Sequence, residues 1–305
     1  MLKAYGWLTF CVVVWGSNFV FGKILVEDFS PGLLTSLRLL FIVLCLVGIT
    51  AYKKNFKLVS KSDVFLILSL GVIGVFINQW SFFKGLQTAD PTTSAIILAM
   101  TPILTGLLAA VFLKERLTIR MLMGSILAII GIYFVVVKGG SSSLHFDKGL
   151  LWIVVTMITF AIMIIMTRVL SQRIDPLMIT LYSNLVGFIV SIPFAFSLDT
   201  PLRMSSNITD WALLIGTAVV VHGIATLIWN NNIRHVNASK ASVLSNLEPF
   251  VAMIMGLILL HKPITGVEIL GSLFILAGVM LSTYQRKSGI LNPVEYRTRQ
   301  SRSTS

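Results

Sequence analysis

The sequence predicts an all-α integral membrane protein, with ten transmembrane helices arranged as two inverted five-helix repeats. Three observations predict it. Of the 305 residues, 56% are hydrophobic and only 12% charged, and the mean hydropathy is +0.90. Soluble domains carry about 25% charged residues, so lipid is the solvent this composition suits. Apolar runs of membrane-spanning length recur along the whole chain, and its second half echoes its first.

A bilayer core takes about 20 apolar residues per helix, with a range of about 17–25. Runs of that length lie near 4–26, 31–51, 64–84, 92–113 and 120–137, and again near 150–170, 177–197, 211–233, 239–260 and 267–284. The first, "MLKAYGWLTFCVVVWGSN", has the basic flank of a signal peptide in Lys3 but no small-x-small cleavage site. It therefore reads as a membrane helix. Cys11 and Cys45 both fall inside spans, with neither a disulfide framework nor a metal-ligand spacing. The end of the chain, 286–305, is polar, basic and without pattern, which reads as a disordered tail.

A net charge of +12 would suggest a nucleic-acid partner in a soluble protein. Here the basic residues sit in short segments between apolar spans, so they report topology and exclude nucleic acid as the expected partner. With the N-terminus inside, 17 of the 24 Lys and Arg residues are cytoplasmic, among them Lys53, Lys54, Lys114, Arg116, Arg168 and Arg234. Only Lys84, Lys138, Lys148, Arg203 and Lys262 fall outside, and Lys23 and Arg38 lie within spans. Cytoplasmic loops collect Lys and Arg, so both termini are expected in the cytoplasm.

The halves align without gaps over long stretches. An offset of 147 places Pro102 on Pro249, Leu113 on Leu260, Thr118 on Thr265, Gly124-Ser125 on Gly271-Ser272 and Gly131 on Gly278. Earlier in each half an offset of 145 places Pro31 on Pro176 and Lys23 on Arg168. The expected units are 1–140 and 148–285. Each holds an odd number of spans, so the second must enter from the opposite face. Inverted repeats of this kind recur in secondary transporters, which place substrate near the midplane.

Several stretches resemble the drug/metabolite transporter superfamily, specifically its EamA-domain exporters. They are "WGSNFVFGK", "SPGLLTSLRLL", "FFKGLQTADPTTSAIILAMTPILTGLLAAVFLKERLT" and "GSILAIIGIYFVV" in the first half, then "LSNLEPFVAMIMGLILLHKPIT" and "GSLFILAGVML" in the second. The resemblance covers about residues 4–284. It implies a ten-helix basket in a prokaryotic plasma membrane that exports small amino-acid-like or amphipathic metabolites, with spans five and ten at the periphery. It implies no cofactor and no nucleotide hydrolysis. One departure stands out: the fourth span closes with Glu115, but the ninth closes with His261-Lys262.

Polar groups in mid-bilayer are expensive, and they are functional candidates that should face a cavity or a partner. Glu248, midway along the ninth span, is the candidate for proton coupling or for a substrate ammonium. His222 in span eight is a second proton relay or a substrate contact. Trp15, Ser17 and Asn18 in span one, Asn78, Gln79 and Trp80 in span three, and more weakly Tyr182, are candidates to line a cavity. All of these could instead be interhelical hydrogen bonds. Arg38 could bind an anion, or its stem could snorkel to the interface. Pro102 and Pro249 should kink their helices, freeing the carbonyls of Leu98 and Ser245. The Gly124–Gly131 and Gly271–Gly278 faces permit close packing, within the protomer or between the protomers of a homodimer.

The expected function is export driven by proton exchange. An organic-anion or sugar-nucleotide exchanger of the same superfamily is the alternative; it calls for several central basic residues, and Arg38 is the only one placed deeply. An intramembrane transferase is the reading from a different class. The chain carries no HExxH, no Asp-rich metal motif and no Gly-rich phosphate loop, so no enzyme activity is expected.

Overall fold

A computed structural model describes residues 2–54, 56, 59–112, 119–136, 147–197, 202–233 and 247–283. All regular structure among these residues is helical. The elements are α1 (Leu2–Asp28), α2 (Pro31–Tyr52), α3 (Lys61–Ser69), α4 (Asn78–Leu86), α5 (Pro91–Leu98), α6 (Thr101–Phe112) and α7 (Ile119–Val136). They are followed by α8 (Lys148–Leu170), α9 (Pro176–Ser197), α10 (Ile208–Thr217), α11 (Thr226–Ile233), α12 (Glu248–Leu260) and α13 (Gly266–Thr283). Seven stretches are long and apolar enough to cross a membrane: Tyr5–Asp28, Pro31–Tyr52, Lys61–Leu86, Pro91–Phe112, Lys148–Leu170, Pro176–Ser197 and Ile208–Ala225. Leu122–Gly131, Glu248–Leu260 and Gly266–Leu281 are shorter apolar helices.

The ends of these helices follow local chemistry. α2 and α5 each begin with a proline in the first turn, where no backbone N–H is needed. Asp90 caps α5 by accepting from the Thr93 amide, and Asp147 and Asn207 cap α8 and α10 in the same way. α13 opens with a reciprocal capping box. The Thr265 amide donates to the Glu268 carboxylate at 3.0 Å, and the Glu268 amide donates to the Thr265 hydroxyl at 3.2 Å.

The two midspan prolines hold the same place, each the second residue of its helix, after Thr101 in α6 and after Glu248 in α12. Between α5 and α6 the helix breaks at Ala99-Met100. Pro102 has no N–H for the Leu98 carbonyl, and the Thr101 hydroxyl donates to that oxygen instead, at 2.6 Å. Pro249 likewise lies in the first turn of α12, which starts at Glu248. Ser245 and the rest of the ninth span before Leu247 lie outside the described residues, as do Glu115 and the tail from residue 284 onward.

Two departures from α geometry have no signal in the apolar pattern. α3 passes into α4 through a π-helical segment, Leu70–Ile77, and α10 passes into α11 through another, Ala218–Ala225. A π turn admits one extra residue per turn and recurs at functional sites. The first lets backbones meet: a Cβ on Gly71 would stand 2.6 Å from the Val186 Cβ and 2.8 Å from the Ser183 carbonyl oxygen on α9.

Helix neighbours fall into a small set of pairs. α7 lies along α13 and α2 along α9, while α1 packs on α11 and α12, and α8 on α4 and α6. The small-residue faces of α7 and α13 turn towards each other within the protomer. A Cβ on Gly131 would lie 2.7 Å from the Gly271 carbonyl oxygen. The opposite faces expose Met123, Ile126 and Tyr133 on α7 and Leu273 on α13, as suits lipid contact. The largest buried cluster gathers Phe19, Leu25 and Phe29 of α1 with Leu34 of α2, Phe83 and Leu86 of α4 and Ile153 of α8.

Candidate functional site

α2 is apolar nearly throughout, and its buried face still carries Arg38, which is 0% exposed. The guanidinium meets side chains from four other elements. Nη1 donates to Asn18 Oδ1 of α1 at 3.2 Å and to Thr217 Oγ1 of α10 at 3.0 Å. Nη2 donates to the same Asn18 oxygen at 3.3 Å and reaches His222 Nδ1, in the second π segment, at 3.2 Å. A guanidinium only donates, so Nδ1 accepts, and the proton of a neutral ring sits on Nε2. The Phe83 ring lies 5.1 Å from the guanidinium carbon, in cation–π range. Nε is buried with no partner. Every acceptor on this cation is neutral; among the described residues no carboxylate pairs with it.

Three of the sequence candidates, Asn18, Arg38 and His222, are therefore one cluster. Trp15 borders it: its indole N–H donates to the Val221 carbonyl of the π segment at 3.2 Å, and its ring packs on Trp229 at 4.9 Å. Ser17 turns back along its own helix and donates to the Val13 carbonyl at 2.7 Å.

Glu248 lies on the other side of α1. Gly16 lets α12 approach so closely that a Cβ there would stand 2.8 Å from the Glu248 carbonyl oxygen. Two residues are about 200° of helix, so Gly16 and Asn18 face nearly opposite ways and α1 stands between the two charged positions. The Glu248 side chain is half-buried and has no hydrogen-bond or ion-pair partner among the described residues.

The span-three candidates form a separate network between α4 and α8. Asn78 Nδ2 donates to the Thr156 carbonyl and to Thr159 Oγ1, both at 2.9 Å, and the Ser81 and Thr156 hydroxyls meet at 2.8 Å. Trp80 packs edge-on against Trp152 at 4.9 Å. Its indole N–H and the Gln79 side-chain oxygen are buried without partners. Tyr182 packs beside Ile67, Leu70 and Ile179.

Sequence reasoning passes over Thr217 and Phe83, which complete the Arg38 cluster; an isolated threonine or phenylalanine in an apolar span carries no signal. It also passes over an ionic group at the end of the bundle where α1 finishes. Lys262 Nζ lies 2.8 Å from Asp90 Oδ1 and donates to Glu268 Oε1 at 2.7 Å. The His261-Lys262 departure is its visible trace. His261 takes the left-handed conformation that ends α12, and the Lys262 amide donates back to the Gly256 carbonyl. Nearby, Lys23 donates to the carbonyls of Leu86 and Gln87 at 2.8 and 2.9 Å, and Arg203 to that of Glu27 at 2.9 Å. Charged and polar ties thus hold four helices together at this end.

Residues 2–137 and residues 147–284 each match the EamA-like transporter family. The chain belongs to that family. Similar proteins include the uncharacterized transporter YetK of Bacillus subtilis, 28% identical over 94% of this chain and 88% of that protein. An uncharacterized transporter of Archaeoglobus fulgidus is 26% identical, over 93% of this chain and all of that one. A crystal structure matching 90% of this chain and 95% of its own superposes with a TM-score of 0.65 at 14% identity, and so shares the fold. An EamA-like chain is a membrane transporter, and its deep polar side chains are to be read as parts of a solute path or as glue between helices. The Asn78 amide donates both its hydrogens and fits glue. The Arg38 cluster is a cation among neutral acceptors.

Proposed function

We propose that the protein exports small amino-acid-like or amphipathic metabolites by alternating access, with proton exchange at Glu248 driving the cycle. The architecture behind this reading is ten transmembrane helices in two inverted five-helix repeats, residues 1–140 and 148–285. Both termini lie in the cytoplasm, and the membrane is a prokaryotic plasma membrane.

The observation that carries it is how helix neighbours behave when the halves are exchanged. A shift of 145 residues carries Pro31–Tyr52 of α2 onto Pro176–Ser197 of α9, and a shift of 147 carries Ile119–Val136 of α7 onto Gly266–Thr283 of α13. The same shifts take α1 to α8 and α6 to α12, and a shift of 148 takes α4 to α11 and one π segment to the other. Under this exchange the contacts of α1 with α11 and α12 become those of α8 with α4 and α6. The pairs α2–α9 and α7–α13 map onto themselves. Two halves with interchangeable packings can swap which face is open, which is what alternating access requires.

Glu248 supports the coupling step because it is an acid inside the bundle with no partner among the described residues. The test is flux in proteoliposomes carrying an imposed pH gradient, with a panel of amino acids and amphipathic amines. The gradient is expected to accelerate flux at least tenfold, and Glu248→Gln to abolish that acceleration. Gradient-independent flux, or a Glu248→Gln protein that responds like wild type, would sink the coupling.

A further inference from the structure

We infer that Arg38 is the docking point for a carboxylate on the transported solute, so that the substrates are amino acids or other small carboxylic acids rather than amines or neutral amphiphiles. The inference rests on the transport reading and specifies its substrate class.

Arg38 is fully buried, and its donors are only partly used. Asn18 Oδ1 takes hydrogens from both Nη1 and Nη2, at 3.2 and 3.3 Å. One amide oxygen thus occupies the fork that a carboxylate would grip with two. His222 Nδ1 takes a second hydrogen of Nη2, and Nε has no partner. The neutral acceptors keep the geometry of an anion site and lack its charge. A buried cation without an anion is costly, and an arriving carboxylate relieves that cost by displacing Asn18 or His222. Asn18 and His222 both keep accessible surface while Arg38 has none, so the solute meets the neutral acceptors first and the cation behind them.

The fold does not demand this cluster. The repeat shifts carry Asn18 to Met163, Arg38 to Ser183 and His222 to Gly74. In that mirror position the helices close on each other: a Cβ on Gly74 would stand 2.9 Å from the Met163 Cβ. Ser183 spends its hydroxyl on the Thr180 carbonyl of its own helix. The same architecture is held by van der Waals contact in one half and carries an uncompensated cation in the other. Structural necessity therefore does not account for Arg38.

The test is thermal unfolding of the purified full-length protein with matched probes: leucine, methionine and 4-methylpentanoate, each beside its carboxamide. At least one acid raises the unfolding midpoint, and its amide needs at least tenfold more for the same shift. Arg38→Lys keeps the charge but loses the fork, and the acid-over-amide preference disappears. Asn18→Asp supplies the missing carboxylate internally, so the midpoint rises without ligand and the response to acids is lost. No stabilisation by any acid, equal response to acid and amide, a preference retained in Arg38→Lys, or an Asn18→Asp protein that still responds to acids would each overturn the assignment. The same probes then go into flux measurements. Acid-selective binding without flux keeps the Arg38 site and removes the transport reading; equal flux of acid and amide removes the site and keeps transport.

Discussion

Lys262 stands between two carboxylates, 2.8 Å from Asp90 and 2.7 Å from Glu268. Arg38, more deeply buried, has an amide, a hydroxyl, an imidazole and an aromatic face around it. Both cations join helices that are distant in sequence. At Lys262 the charge is met by opposite charge and the group ties α5 to the start of α13. At Arg38, among the described residues, the charge is met by dipoles and the Phe83 ring. The cation met by carboxylates ties helices together, and the one met by neutral groups among the described residues is the one we propose as a solute contact. In a low-dielectric interior an ion pair must hold good geometry to offset its desolvation, and a lone ion has nothing to offset it with.

Removing the fastener should have the largest effect on stability. Lys262→Met leaves Glu268, which is 1% exposed, beside Asp90 with no cation between them. Breaking a buried pair from one side costs about 3–5 kcal/mol, and Lys262 keeps some water access, so a loss near the lower figure is expected in a reversible unfolding measurement. The pH dependence follows from the lysine. Burial alone would lower its pKa, but hydrogen bonds from the ammonium to Asp90 and Glu268, and then their charges, raise it above the ordinary lysine value. A raised folded-state value means that the lysine's contribution is complete below its unfolded pKa of about 10.4. It fades only as pH climbs through the higher folded value. Stability that declines between pH 6 and 9 in wild type but not in Lys262→Met would contradict this.

A smaller effect is expected where polarity is neutral and satisfied. Asn78→Ala removes two donated hydrogen bonds from α4 to α8. Interhelical hydrogen bonds in membranes average about 0.6 kcal/mol, with a maximum of about 1.7 kcal/mol, so a loss of about 1–2 kcal/mol is expected for the pair. Acid-over-amide discrimination should be untouched. A change in that discrimination would place the Asn78 network in the solute path and undo its separation from Arg38.

The long apolar helices are legible from composition alone, because a run of about 20 apolar residues has few other uses. The correspondence of the halves is legible from Gly and Pro, residues that constrain backbone. The break before Thr101 follows from Pro102. The π segments at Leu70–Ile77 and Ala218–Ala225 are not legible, since an extra residue per turn leaves no mark on an all-apolar face. Arg38, Asn18 and His222 are each visible as polar residues in apolar runs, yet nothing in the sequence says that they meet. That depends on how α1, α2 and the second π segment rotate about their axes, which tertiary packing sets. Thr217, at the end of α10, joins them for the same reason. The Thr265…Glu268 spacing of a capping box is readable, but the second role of Glu268 as a partner of Lys262 is not.

The last contrast is the sharpest, because its expected effect on stability is the smallest. Arg38→Met keeps length and apolar volume, and removes a buried cation that no anion among the described residues compensates. Replacing buried charges with well-packed apolar side chains is often neutral or stabilising. Against that gain stand the lost bonds to Asn18, Thr217 and His222. Thr217 also donates to the Leu214 carbonyl at 3.1 Å, and Asn18 and His222 keep accessible surface, so little is left stranded. The net change in unfolding free energy is expected within about 1 kcal/mol of zero, while flux of any carboxylate solute falls at least a hundredfold. A fastener behaves the other way round: Lys262→Met should lose stability first and flux only as the folded fraction falls. If Arg38→Met instead unfolds the protein as Lys262→Met does, the two cations share one role, and the carboxylate site has to be sought on the Glu248 side of α1.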